Sequence, residues 1–547
     1  MSEKNVHPDH LTKVGGYNIS DINIINSLGE KEKIPVGVWT ELNVYENIEK
    51  NAMTGSIEIL DSYNFISNFE LQGNERITFK LSTPGRQDYE NAVVDASEET
   101  GFPFYIYGIS DRRLQRENAM TYTIYFCSNE LARNVRTRVN RALSGELGRM
   151  AASVLKDPDG LNTKKKVYYE PTRNHDTIVF PNVRPFDAIN LIAKKALSGN
   201  AAGAGYYFYE TAKAFHFRSV ENMLAYQSTN ARPPVRILKF ERPGLLSSMG
   251  DRKEVVHTYN VESFDFINQF DSLKNQALGT YASKVITYNI YDKQYSTVNY
   301  NYHREYRKFM HTDTLGSSTR TNYPIAPNPV DHDQREGGIP GQGYGDKSVS
   351  DYPESRVILQ PSTRFLHDED TGSFGTSTEN EGLTEGIRVS MLNSVRHATK
   401  LRLTTSGMSE MQAGDVFVFD HPRIEPNRGQ RHDYAFDPKY SGRYLATKLR
   451  HRITPDGYQN IIEGIKNSVY ENLSSSFYLN KITRIYISLM TSKNMITSFI
   501  KLFLIFSIIL ILQSCGTFNP PDVKDSPIND ADMRKRNIEE GRGITLG

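Results

Sequence analysis

Residues 38–61, V-W-T-E-L-N-V-Y-E-N-I-E-K-N-A-M-T-G-S-I-E-I-L-D, constrain the fold more than any other stretch. Leu42, Val44 and Ile48 recur on even positions, and Glu41, Asn43 and Glu49 take odd ones. Past the polar Glu49-Lys50-Asn51, Ile57 and Ile59 alternate with Ser56 and Glu58. Alternation on both sides of a polar turn predicts two antiparallel strands, each with one face in a core. A second set of this type lies far downstream, at 415–419, 444–447 and 460–463. Two β modules therefore bracket a middle of different period.

At 547 residues the chain exceeds a single core, and three or four domains are expected. Tyr (32) and Phe (26) far outnumber the single Trp, which suits aromatic-rich strands. A net charge of +1 argues against a molecule tuned as a whole to a polyanion. The two cysteines, Cys127 and Cys515, exclude a disulfide framework and a cysteine-based zinc site. The N-terminus lacks an apolar h-region, so no signal peptide is expected there.

Taken in order, residues 1–30 read as a polar arm. Ile77, Phe79 and Leu81 predict a third strand ended by Pro84-Gly85, and 86–100 a loop. Phe104 and Ile106, then Met120, Tyr122, Ile124 and Phe126, supply two more strands, enough for a small sandwich or barrel. From Ser128 the spacing becomes four: Leu131, Val135, Val139 and Leu143 predict a helix. Its other face would carry Arg133, Arg136, Arg138 and Arg141, within a segment (128–166) of nine basic and four acidic residues. That face is either simply solvated or a docking surface for an acidic partner or nucleic acid. Without interleaved aromatics it is no stacking platform.

Pro185 opens a predicted helix with Phe186, Ile189, Ile192 or Ala193, and Ala196 on one stripe, ended by Gly199. Strands at 206–210 and 215–218 flank a tight turn. Further on, 272–277 reads as a helix and 285–290 as a strand. Residues 311–386, rich in Gly, Ser and Pro, read as a surface insertion or disordered loop, and strand character resumes at Arg388.

The expected fold is mainly β with an α+β middle. It comprises an arm (1–30), a first β-barrel- or sandwich-like module (31–127) and an α+β domain (128–250). A second β module is split between 251–310 and 387–475 around the insertion (311–386), and an apolar tail (476–547) follows.

Little here speaks for catalysis. Asp331-His332-Asp333 and His367-Asp368-Glu369-Asp370 have ligand types suited to a divalent ion, but no rigid element holds them. Gly341-Gln342-Gly343-Tyr344-Gly345 lacks the preceding strand and following Lys of a phosphate loop. Neither H-E-x-x-H nor G-x-S-x-G occurs. No catalytic, cofactor-binding or metal-binding residue is assigned.

Three blocks carry a family resemblance in order. G-V-W-T-E-L-N-V-Y-E-N-I…M-T-G-S-I-E-I-L-D-S-Y-N-F-I…G-N-E-R-I-T-F (37–79) resembles the N-terminal module of the baseplate hub protein of T-even-like contractile-tailed phages. R-P-F-D-A-I-N-L-I-A-K-K-A…Y-Y-F-Y-E-T…F-H-F-R-S-V-E-N-M (184–223) resembles its middle domain. L-G-T-Y-A-S-K-V-I-T-Y-N-I-Y-D-K (278–293) and A-G-D-V-F-V-F-D-H-P…Y-S-G-R-Y-L-A-T-K-L-R-H-R-I (413–453) fit its second barrel. The resemblance implies a non-enzymatic virion protein that forms a homotrimeric, pseudo-sixfold ring. Such a ring adapts the hexameric tail tube to the trimeric spike, the component that carries lysis in this family. Implied partners are the spike, the tube and other baseplate proteins, with DNA passing through the lumen, and neither cofactor nor small-molecule substrate. The implied place is the tail baseplate of the virion, assembled in the host cytoplasm.

The tail reads differently. A basic start at 493–501, an apolar run at 502–512 and L-x-S-C-G resemble a bacterial lipoprotein signal with Cys515 as the lipidated residue. The run is short for a membrane span. Met490 or Met495 would serve as its own start, so a gene fusion or missed stop, a membrane-tethered lipoprotein or secretion component, and an apolar hairpin or helix packed in the baseplate all stay open. A cell-wall hydrolase rests only on carboxylate content.

Overall fold

The computed structural model describes residues 15–469 apart from 70, 85–92, 100, 117, 202, 226–235, 241–259, 289–292, 294, 313–322, 325–348, 362–364, 369–372, 377–380, 422–436 and 438. The chain divides into Met1–Asn472 and Leu473–Gly547. The acidic cluster at 331–333, the glycine run at 341–345 and Cys515 lie outside the described residues.

The fold is mainly β. Eight strands carry it: β1 (Trp39–Asn47), β2 (Thr54–Asp61), β3 (Phe104–Arg116), β4 (Ala119–Ser128), β5 (Val261–Asn268), β6 (Thr399–Ser406), β7 (Gly442–Thr454) and β8 (Gly457–Lys466). They lie side by side in the order β5-β6-β8-β7-β1-β2-β4-β3 within one 13-stranded sheet. Every neighbouring pair along this path is antiparallel.

Apolar alternation builds the strands as the sequence predicts. Leu42 and Val44 on β1, Ile57 and Ile59 on β2, and Tyr122, Ile124 and Phe126 on β4 are all but fully buried, packed with Phe79 and Phe104. Each such side chain contributes roughly 1.5–3 kcal/mol on leaving water. A parallel core in the second half gathers Leu401, Leu403, Phe417, Phe419, Tyr444, Leu449 and Ile462.

The two halves repeat one plan. Each module runs first strand, second strand, then a hairpin whose later strand lies next to the second, giving β1-β2-β4-β3 and β5-β6-β8-β7. In both hairpins a 13-residue strand is followed by a 10-residue strand. In both, a short strand caps the start of the longer one: Arg76–Thr78 on β3 and Val416–Asp420 on β7. The modules are not separate domains. They fuse where β7 pairs with β1, from Lys448 opposite Asn47 to Ile453 opposite Leu42.

The α+β middle packs helices Leu147–Lys156 and Pro185–Lys195 on the aromatic hairpin Tyr206–Glu210/Ala214–Ser219. Pro185 stands in the first turn of its helix, where a missing N–H costs nothing.

Five segments depart from the sequence expectation. Residues 18–19 and 22–25 of the supposed arm are strands, with Ile22 and Ile24 buried. Residues 93–95, expected as loop, form a strand. The helix expected through Leu143 stops at Arg136, and Val139–Glu146 is a strand paired with His175–Val183. Thr137 ends the helix in an extended conformation, its hydroxyl donating to the Arg133 carbonyl. Finally, strand Val357–Pro361 lies within the insertion, and Glu381–Arg396, where strand character was expected from Arg388, is a helix.

Candidate functional site

Buried charge concentrates where β1, the middle-domain hairpin and the second module meet. Glu46 lies on β1 with its side chain buried. One carboxylate oxygen accepts from the Ala212 N–H at 2.9 Å and the other from the Ala413 N–H at 2.8 Å. A single side chain thus ties the first module to the middle hairpin and to the turn before strand Val416–Asp420. Burial pushes its carboxyl up to about 7 against the pull of those two N–H donors, with Asp415 raising it and Lys165 lowering it.

Asp415 is also buried and accepts from the Gln412 N–H at 3.0 Å. Burial takes it to about 7, opposed by the Gln412 bond and the guanidinium groups of Arg218 and Arg236. Glu210, on the hairpin, accepts from the Met53 N–H at 2.9 Å and from Lys165 Nζ at 2.5 Å. Beside it Tyr209 stacks on His216, 4.9 Å between centroids. Burial and the Arg218 charge press His216 down to about 3, so it is neutral. Gly414 completes the junction: its φ is +87°, and a Cβ there would stand 2.2 Å from the Tyr209 hydroxyl oxygen.

The solvent side of the β7–β1 ladder carries a second network. Arg450 donates to Asn43 Oδ1 at 2.7 Å and to Glu41 Oε1 at 2.6 Å, and Arg452 donates to Glu41 Oε2 at 2.9 Å. Burial raises the Glu41 carboxyl, but bonds from Asn43 and Arg452 and both arginine charges outweigh it and hold it low. This is a joint: Glu46, Asp415 and Glu210 each accept from backbone N–H groups, and Glu210 also holds the Lys165 ammonium. Among the described residues, no group of three or more His, Cys, Asp or Glu side chains is placed to hold a metal. A groove of about 470 Å³ between Gly15–Ile19 and Pro455–Gly457 carries one charged residue, Asp456.

The four arginines singled out in the sequence do not share one helix face. Arg133 and Arg136 lie on helix Asn129–Arg136, Arg138 in the link after it, and Arg141 on strand Val139–Glu146. Arg133 is half-buried and donates to the Leu161 carbonyl at 2.9 Å, and Arg141 pairs with Asp157 at 2.7 Å. Arg136, Arg138 and Arg141 are exposed. The sequence reading missed Glu46 and Asp415. For Glu46 a signal existed: it stands on the inward phase of the Leu42, Val44, Ile48 alternation, where a carboxylate needs a dedicated partner.

No family model matches the chain, and no curated protein does. Among solved structures it is similar to the tail protein from Neisseria meningitidis MC58, at 10% identity over 82% of this chain and 97% of that one, TM-score 0.41. It is similar to the 43 kDa tail protein of prophage MuSo2 from Shewanella oneidensis, at 11% identity over 82% and 98%, TM-score 0.41. Prophage tail protein gp18 from Listeria monocytogenes EGD-e follows, at 9% identity over 85% and 100%, TM-score 0.40.

Proposed function

We propose that the chain is a structural, non-enzymatic phage tail protein: the ring-forming hub of a baseplate, adapting a sixfold tube to a threefold spike. The observation that carries this reading is the internal repeat. Two modules of one topology stand side by side in one sheet, so three copies present six similar modules while keeping threefold symmetry. The ordered sequence resemblance over 37–470 supports the same reading. Partners on this reading are the spike, the tube and neighbouring baseplate proteins, with DNA passing through the lumen, and the place is the virion tail. The exposed Arg136, Arg138 and Arg141 are proposed to face an acidic partner.

Light scattering on the full chain in mild detergent is expected to give the mass of a trimer, and electron microscopy rings with six lobes. A monomer both alone and with a cognate spike would overturn the reading. A lipoprotein role rests on the motif around Cys515 alone; lipid label absent from the full chain, or retained in Cys515→Ala, would remove it.

A further inference from the structure

Among the described residues, strands Val139–Glu146 and His175–Val183 pair only with each other, so each has an outer edge. Val139, Ile178 and Phe180 fasten the pair to the core of the middle domain. The register shows which main-chain groups face outward. Ser144 stands opposite Thr177 with the two hydroxyls 2.8 Å apart, and the Thr177 N–H donates to Asp176 Oδ1 at 2.8 Å instead of across the ladder. This is the pair type in which both residues turn their N–H and C=O away from the partner strand. The register runs unbroken from Arg141 to Glu146, so Ala142, opposite Val179, is of the same type.

The two outer edges differ. On His175–Val183 the Thr177 N–H is occupied, Lys195 holds Asp176 at 2.9 Å, and Pro181 has no N–H to give. That edge is closed. On Val139–Glu146 the N–H and C=O groups of Ala142 and Ser144 point outward. Both residues are exposed, and no main-chain partner reaches these groups among the described residues. Their side chains are small and leave room for another backbone. An open edge of this kind invites a further strand.

Charge brackets the open edge. Arg136 and Arg138 are exposed just before the strand, and Arg149 just after it. Arg136 and Arg138 donate only to main-chain carbonyls, of Ala132, Val135 and Thr137, among the described residues. Arg141 pairs with Asp157 at 2.7 Å. Glu146, the carboxylate on this strand, accepts from the Thr172 N–H at 3.0 Å and lies 3.9 Å from Arg149.

We infer that this edge takes an extended acidic segment of another protein as a third strand. Ala142 and Ser144 supply the main-chain hydrogen bonds, and Arg136 and Arg138 select for carboxylates. Nucleic acid fits less well, because phosphates would engage the arginines and leave the edge groups unused. The inference deepens the acidic-partner reading of Arg136, Arg138 and Arg141 given above, and it needs no ring.

The test uses the full chain in mild detergent and a fluorescent peptide of alternating glutamate and threonine, with binding read by anisotropy. The peptide should bind, and Ala142→Pro should weaken it about tenfold by removing one outward N–H while keeping every arginine. Arg138→Glu should weaken it as well. Hydrogen exchange on the unmutated chain gives a second measurement that no folding defect can mimic. The Ala142 and Ser144 amides should exchange freely alone and slow about tenfold with saturating peptide. A peptide that binds Ala142→Pro as well as wild type and leaves those amides unprotected would overturn the edge and leave the acidic-partner reading standing. A DNA duplex that binds in place of the peptide, weakened by Arg138→Glu alone, would also overturn the edge and assign the arginines to nucleic acid. Binding of neither probe would remove both readings.

Discussion

Glu46 shows what one residue holds together. Its two oxygens take N–H groups from two other parts of the chain, and its carboxyl sits near 7 because burial penalises the charge. The sign of the consequence follows from linkage. A group whose folded pKa lies above its ordinary 4.5 stabilises the fold fully below about pH 4.5. That stability is lost as pH rises towards 7. Asp415, raised from 3.8 to about 7, acts in the same direction. The contribution of Glu46 is on the order of 3 kcal/mol across that window. Urea midpoints measured from pH 4.5 to 7.5 should therefore fall with pH, and Glu46→Gln should flatten the decline. An unchanged slope in that variant would show that Glu46 does not titrate here. The sequence carried half of this: the inward phase of position 46 was legible, but Ala212 and Ala413 are far along the chain.

At the scale of elements, the alternating strands were legible because burying one face imposes period two wherever the strand lies. The segment after Ser128 was misread for a related reason. A spacing of four suits a helix, but it is also two strand periods, so Val139 and Leu143 fit either. Pairing with His175–Val183 decided for the strand. The turn at Gly414 makes an element-scale prediction. Gly414→Ala meets both an unfavourable φ and the Tyr209 hydroxyl, and should cost about 2–4 kcal/mol in urea unfolding. Gly29→Ala, with φ +86° and open space around it, isolates the backbone strain and should cost about 1–2 kcal/mol. Equal losses in the two variants would mean that the Tyr209 contact yields freely.

For the whole molecule, the joining of β7 to β1 predicts how the modules unfold. Trp39, the single tryptophan, lies buried on β1 and reports the first module. Far-UV circular dichroism reports strands of both. Because the modules share a ladder and the Glu46 junction, the two signals should follow one transition in urea. A Trp39 transition separated from the dichroism change would mean that the modules unfold independently.

The sequence by itself determined that two strand-rich modules flank an α+β middle, because side-chain period is a local consequence of burying one face. It also determined the aromatic hairpin and the helix begun by Pro185, whose signals are residues next to each other. Only the tertiary structure decided that the modules form one sheet, that they repeat one topology, and that Glu46 and Arg450 fasten them. Those facts are pairings between positions some 400 residues apart, Arg450 with Glu41 among them. Local propensity has no term for such pairings; they are selected by the closing of the whole sheet.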